Sequence, residues 1–220
     1  MNKKVPTFFY SSLKILIDKE KIEPEEIYFL YREFEKNEKI WWDNFKEIKK
    51  INLVLIGESP LRTDDYIYYL GNKKLYAPFL NYKHIEEFLR KKKNPQSIRN
   101  RMEFINVLNS LGILIVEMFP YTFNKKQTTF NYRGADENIL INLFCSSRKW
   151  NFDKKLKAIK DLNKEEKITY AFRLISQKYL VTQMLPELNA ECLGTNNHPM
   201  DKSKFLRMLD DITSKIDQEI

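Results

Sequence analysis

Three short segments carry the residues of this chain best suited to chemistry. They are Gly57-Glu58-Ser59-Pro60, Glu117-Met118-Phe119-Pro120 and Gly194-Thr195-Asn196-Asn197-His198-Pro199. Between them they offer two carboxyls (Glu58, Glu117), a hydroxyl (Ser59) and an imidazole (His198), the groups that position water, accept protons or stabilise developing charge. Gly57 permits a turn or a close backbone approach. Pro60 fixes its own φ and pushes Ser59 toward an extended backbone.

Each segment follows a run that reads as a strand. Leu53-Val54-Leu55-Ile56 and Ile113-Leu114-Ile115-Val116 are unbroken apolar runs, the pattern of strands buried on both faces of a parallel sheet. Residues 168–174 (Ile-Thr-Tyr-Ala-Phe-Arg-Leu) alternate and are rich in β-formers, which predicts a third strand with helix as its competitor. Glu191–Gly194 is a short fourth. In a parallel sheet the carboxyl ends share one edge, and open α/β folds place their ligands there.

Helical patterns fill the intervals. Residues 7–49 read as helical throughout, with Thr7 as N-cap, Phe9, Leu13, Leu16 and Ile17 at helix spacing, and Pro24 opening a second stretch ahead of Trp41, Trp42 and Phe45. Further helices are expected around Ile85–Leu89, from Gln96 to a stop at Gly112, over Asp136–Arg148, Asp153–Leu162 and Ser176–Leu188, and finally over Lys202–Ile216. Strands alternating with helices predict an α/β class protein. The expected form is a three-layer α/β/α sandwich on a four-stranded, mainly parallel sheet (51–220), with an N-terminal helical extension (1–50) packed on its core.

With 220 residues the chain can bury a core without staples. Cys145 and Cys192 are too few and too far apart for a disulfide framework or a cysteine-built metal site. No run has the length of a signal h-region or a membrane span. A cytoplasmic monomer without cofactor, metal or membrane partner is expected. The net charge of +8 favours polyanions. The pool of phosphate contacts is Lys91–Lys93, Arg99, Arg101, Lys125, Lys126, Lys202 and Lys204.

On these motifs the chain resembles the uracil-DNA glycosylase superfamily. Gly57-Glu58-Ser59-Pro60 is similar to its first motif, Gly-x-x-Pro after strand one, and most of all to the Gly-Glu-Ala-Pro-Gly form of the thermophilic iron–sulfur branch. Asn197-His198-Pro199 resembles the second motif, which begins His-Pro. The segment Gly112–Val116 resembles the strand leading to the base-reading residue. The resemblance spans roughly residues 50 to 210 and rests on fewer than a dozen specific positions.

The resemblance implies excision of a damaged or deaminated base from DNA, single strands included. Gly57 and Pro60 would approach the extruded nucleotide, and Glu58 and Ser59 would flank its sugar or an attacking water. Tyr68 or Tyr69 would stack on the base, with one of the two expected in the core. Glu117, Phe119 and Asn197 would line the base pocket, and His198 would stabilise the departing base. Arg62, Pro199, Lys202, Ser203 and Lys204 would meet the DNA backbone. Extrusion is required because the glycosidic bond is unreachable inside the stack.

The chain also departs from the family pattern. Ser59 stands where the most active branch has a water-orienting aspartate, and the cysteines of the iron–sulfur branch are absent. Glu117 stands where the family reads uracil with an asparagine. An ionised carboxylate only accepts, so Glu117 suits a base with exocyclic donors, such as cytosine, or must be protonated to serve uracil.

Two other functions compete. One is a relative that keeps the fold and binds nucleic acid without catalysis. The other is an SGNH-type esterase with Ser59 as nucleophile and His198 as base. There Thr195 occupies the position that should be an acid. Glu58 and Glu117 also read as solvated loop carboxylates, and His84 as a surface residue.

Overall fold

The computed structural model describes residues 4–60, 63–71, 75, 80–92, 96–123, 127–132, 134–164, 167–173, 178–195 and 200–216. Its sheet has four parallel strands, β1 (Leu53–Gly57), β2 (Ile113–Glu117), β3 (Thr169–Phe172) and β4 (Glu191–Cys192), in the order β2-β1-β3-β4. All ten residues of β1 and β2 are buried, as their unbroken apolar runs require. The alternating third run is a strand, and helix loses the competition there.

Helices α1 (Thr7–Ser12), α2 (Lys14–Asp18) and α3 (Pro24–Lys46) precede β1. Pro6, not Thr7, is the cap of α1, and Thr7 is its first helical residue. Buried Phe9, Leu13, Leu16, Leu30 and Trp41 of this region belong to the same core as the strands. Helices α4 (Tyr82–Lys91) and α5 (Arg101–Ser110) join β1 to β2. Helix α5 starts later than the periodicity from Gln96 suggests, because Asn100 accepts from the Glu103 amide and caps it there. Gly112, at φ +67°, closes it; a Cβ there would lie 2.6 Å from the Lys50 carbonyl.

Helices α6 (Glu137–Arg148) and α7 (Phe152–Asn163) lead from β2 to β3, α8 (Lys178–Met184) leads to β4, and α9 (Lys202–Ile216) follows it. The step from β1 to β2 and the step from β2 to β3 run in opposite directions across the sheet. Right-handed crossovers therefore put α4 and α5 on one face and α6 and α7 on the other. The contacts of α9 with α4, and of α8 with α6, agree with that division. The arrangement is compatible with a three-layer α/β/α sandwich. No helix among the described residues is long and apolar enough to cross a membrane.

Two side chains close the outer edge of β2. Ile115 turns its N–H and C=O away from β1; its N–H donates to Tyr68 Oη at 2.8 Å, and its C=O accepts from Trp41 Nε1 at 2.8 Å. An edge strand is thereby denied to any further strand. At the opposite end of the sheet Asn163 brackets Ile51, accepting from its N–H at 3.0 Å and donating to its carbonyl.

Candidate functional site

The register of β1 on β2 sets Gly57 opposite Glu117. The ladder continues past both strands, with Met118 N–H donating to Gly57 O and Phe119 N–H to Glu58 O, each at 2.9 Å. Gly57-Glu58-Ser59-Pro60 and Glu117-Met118-Phe119-Pro120 thus leave the sheet side by side. The β4 end stands three strand spacings from β2, about 14 Å at the usual inter-strand distance. There the Asp201 N–H returns to Leu193 O at 2.7 Å. Asn197, His198 and Pro199 lie outside the described residues, as do Arg62, Lys93, Lys125 and Lys126.

Glu117 is not a solvated loop carboxylate. It is the last residue of β2 and is 6 % exposed. Burial pushes its carboxyl up to about 7; Lys155, its own backbone N–H and Tyr66 pull the other way, and Glu38 adds to the rise. Tyr66 Oη donates to Glu117 Oε2 at 3.4 Å. Burial and the neighbouring carboxyl raise the Tyr66 phenol well above its usual range.

A buried ion pair stands beside this acid. Lys155, 5 % exposed, places Nζ 2.9 Å from Glu38 Oε2 and 3.2 Å from Asn151 Oδ1, and 5.0 Å from the centre of the Trp41 ring. Glu38 also accepts from Trp42 Nε1 at 2.7 Å. Asn151 Nδ2 donates to Met118 O at 3.3 Å, tying the start of α7 to the loop after β2. Glu38 is shared by Lys155 and Lys154, the latter at 3.8 Å, and the loss of hydration on burial outweighs the pull of Lys155 on Glu117. Pro60, Tyr66, Phe119 and Pro120 help close a cavity of about 10 Å³ against this cluster, room for roughly one water.

Glu58 and Ser59 are half-buried on the neighbouring turn. Ser59 pulls the Tyr132 phenol pKa down, and Tyr132 Oη donates to Tyr121 O at 3.0 Å. Burial first, then the Glu58 charge, holds the Tyr132 proton well above its usual range. Phe119 is fully buried and stacks on Tyr132 with ring centres 4.9 Å apart. Tyr68 is the core member of its pair, 3 % exposed and bonded to Ile115. Tyr69 is half-buried and lines surface clefts.

The phosphate pool contracts in the structure. Arg101 leaves it: 3 % exposed, it donates from Nη1 to Tyr66 O at 2.9 Å and to Tyr69 O at 3.2 Å. Lys91 and Lys202 pair with Glu87 at 3.7 and 2.6 Å, and Lys92 pairs with Asp210 at 3.3 Å. Lys204 donates to Cys192 O at 3.3 Å. Arg99 and Ser203 are exposed. His84 is half-buried, not a plain surface residue; burial, then Lys202, lowers its pKa. No group of three or more His, Cys, Asp or Glu among the described residues is placed to hold a metal.

Sequence reasoning missed Glu38, Tyr66, Tyr132, Asn151 and Lys155. For two of them a signal existed. Lys155 falls on the apolar stripe of Phe152, Leu156 and Ile159, and Glu38 on that of Phe34, Trp41 and Phe45. A charge at core spacing marks a buried partner. No protein-family model matches the chain, and neither the curated proteins nor the solved structures compared with it give a match.

Proposed function

We propose that the protein acts as a member of the uracil-DNA glycosylase superfamily would: it takes an extruded base at the carboxyl edge of its sheet and hydrolyses the N-glycosidic bond. One observation carries this reading. The Gly-Glu-Ser-Pro turn and a buried carboxyl that titrates at about 7 stand side by side, paired through Gly57 and Glu117. In its acid form Glu117 donates a proton into a hydrogen bond, as an ionised carboxylate cannot. That suits a base carbonyl such as uracil O4. Glu58 and Ser59 would position water or the sugar, and His198 would stabilise the departing base. DNA is the partner.

A second reading is a relative that binds nucleic acid without catalysis. It is favoured by the small cavity at Glu117 and by the commitment of Tyr68 and Phe119 to the core.

The test is strand cleavage after alkali on oligonucleotides carrying uracil, hypoxanthine, xanthine or a mismatched base. Release that His198→Ala lowers at least about 100-fold, the scale of a lost oxyanion donor, supports the first reading. Salt-sensitive binding without release from any substrate supports the second. Neither release nor binding at low salt would overturn both.

A further inference from the structure

Helix α3 presents a second face, turned away from Glu38 and the Glu117 cluster. Phe29, Glu33, Lys36 and Ile40 recur along it at helical spacing, so they form one stripe. The short 3₁₀ turn Thr63–Asp65 packs against the same helix. Between the two lies a cleft of about 410 Å³, within the range of small-molecule sites.

The apolar part of the cleft comes from both walls. Phe29, Ile40 and Tyr69 are half-buried and line it. The Tyr69 ring folds back over Gly71, where a Cβ would run into its Cζ and Oη. Arg101 Nη1 holds the Tyr69 carbonyl at 3.2 Å. Both ends of this residue are thereby fixed, which makes its ring a standing wall.

The charged lining groups reach solvent and are segregated. On the helix, the Lys36 side chain is 48 % exposed and pairs with Glu33 at 2.9 Å, which leaves its ammonium two further donors. Lys39 is exposed and enters no ion pair among the described residues; nearby Asp43 is held by Lys46 at 2.9 Å. On the facing turn Asp64 is exposed, and a carboxylate accepts several hydrogen bonds at once. Among the described residues the lining charges cancel, Lys36 and Lys39 against Glu33 and Asp64. Because Glu33 is matched within α3, the helix wall keeps a positive excess and the turn a negative one. A simple anion would be repelled by Asp64, and a simple cation by Lys39.

We propose that this cleft binds a small zwitterion with a planar apolar body, of the class of aromatic α-amino acids. Its carboxylate meets Lys39 and Lys36, its ammonium meets Asp64, and its ring lies against Tyr69 and Phe29. The site stands on a different face of α3 from the Glu38–Lys155 pair and does not depend on the reading of the Glu117 edge.

The test is calorimetric titration of the whole chain at low salt with four probes. L-Phenylalanine carries both charges and the ring, 2-phenylethylamine lacks the carboxylate, 3-phenylpropionate lacks the ammonium, and glycine lacks the ring. Phenylalanine should saturate one site. The two single-charge probes should bind about tenfold more weakly or worse, the factor for one lost hydrogen bond between charged groups. Glycine should not saturate in the same range. Lys39→Gln should weaken phenylalanine toward phenylethylamine and leave phenylethylamine itself no weaker. Asp64→Asn should weaken phenylalanine toward phenylpropionate and leave phenylpropionate no weaker. Both positions are exposed, so thermal unfolding should be unchanged. The proposal is overturned by any of three results: no saturation at millimolar phenylalanine, equal affinity for a probe lacking one charge or the ring, or binding indifferent to Lys39→Gln or to Asp64→Asn.

Discussion

Tyr66 and Glu117, 51 residues apart in the chain, meet at the end of β2 through a 3.4 Å bond from phenol to carboxyl. The bond is long, and with Glu117's own backbone N–H it offers a neutral donor to an acid that burial discourages from ionising. Glu117 is thereby poised between its two forms near neutral pH.

That poise has a thermodynamic signature. The folded carboxyl titrates at about 7 against an ordinary 4.5, so the folded state holds the proton more tightly than the unfolded one. Its contribution to stability is complete below about pH 4.5 and is lost as pH rises through 7, a loss of roughly 3 kcal/mol by pH 8. Glu117→Gln should flatten the urea-unfolding profile across this window and be the more stable protein at pH 8. Parallel profiles for the two proteins would contradict the assignment.

The edge of β2 gives a second expectation. Tyr68→Phe removes the acceptor from the buried Ile115 N–H and leaves that group unpaired, at a cost of about 1–3 kcal/mol. Trp41→Phe does the same to the Ile115 carbonyl and adds a cavity. Denaturant midpoints should fall in both, further for Trp41→Phe.

Arg101 holds the turn that carries Tyr66. Arg101→Met should destabilise the fold by about 1.5–3 kcal/mol, the range for hydrogen bonds to a charged group. It should also raise the Glu117 midpoint, because Tyr66 pulls that midpoint down. Destabilisation with the midpoint unmoved would make Arg101 a packing residue alone.

Lys202 forms a surface ion pair with Glu87. Such pairs contribute little, so Lys202 remains able to exchange Glu87 for a phosphate. Lys202→Ala should weaken DNA binding and reduce the slope of log affinity on log salt by about 1. An unchanged slope removes α9 from the DNA surface.

The strands were legible because burial on both faces leaves no room for polar residues: the runs at Leu53 and Ile113 could hardly be anything else. The convergence of Glu58, Ser59 and Glu117 followed from parallel strands alone. The partners of Glu117 were not legible. Tyr66 reaches it through a turn held by Arg101, and no periodicity encodes that turn. Lys155 and Glu38 come from two distant helices and betray themselves as charges on apolar stripes, a signal visible in the sequence but easily taken for solvated helix faces. The late start of α5 likewise turns on a single cap, Asn100, within a segment whose apolar spacing runs on past it.

The most direct measurement is the titration of the Glu117 carboxyl by carbon-detected NMR, in the free protein and with a uracil-bearing oligonucleotide. The account predicts a midpoint near 7 for the free protein. It predicts a rise when the uracil strand binds, because a base carbonyl stabilises the protonated acid, and none with the same strand lacking uracil. A midpoint near 4.5, or one indifferent to the uracil strand, would contradict it.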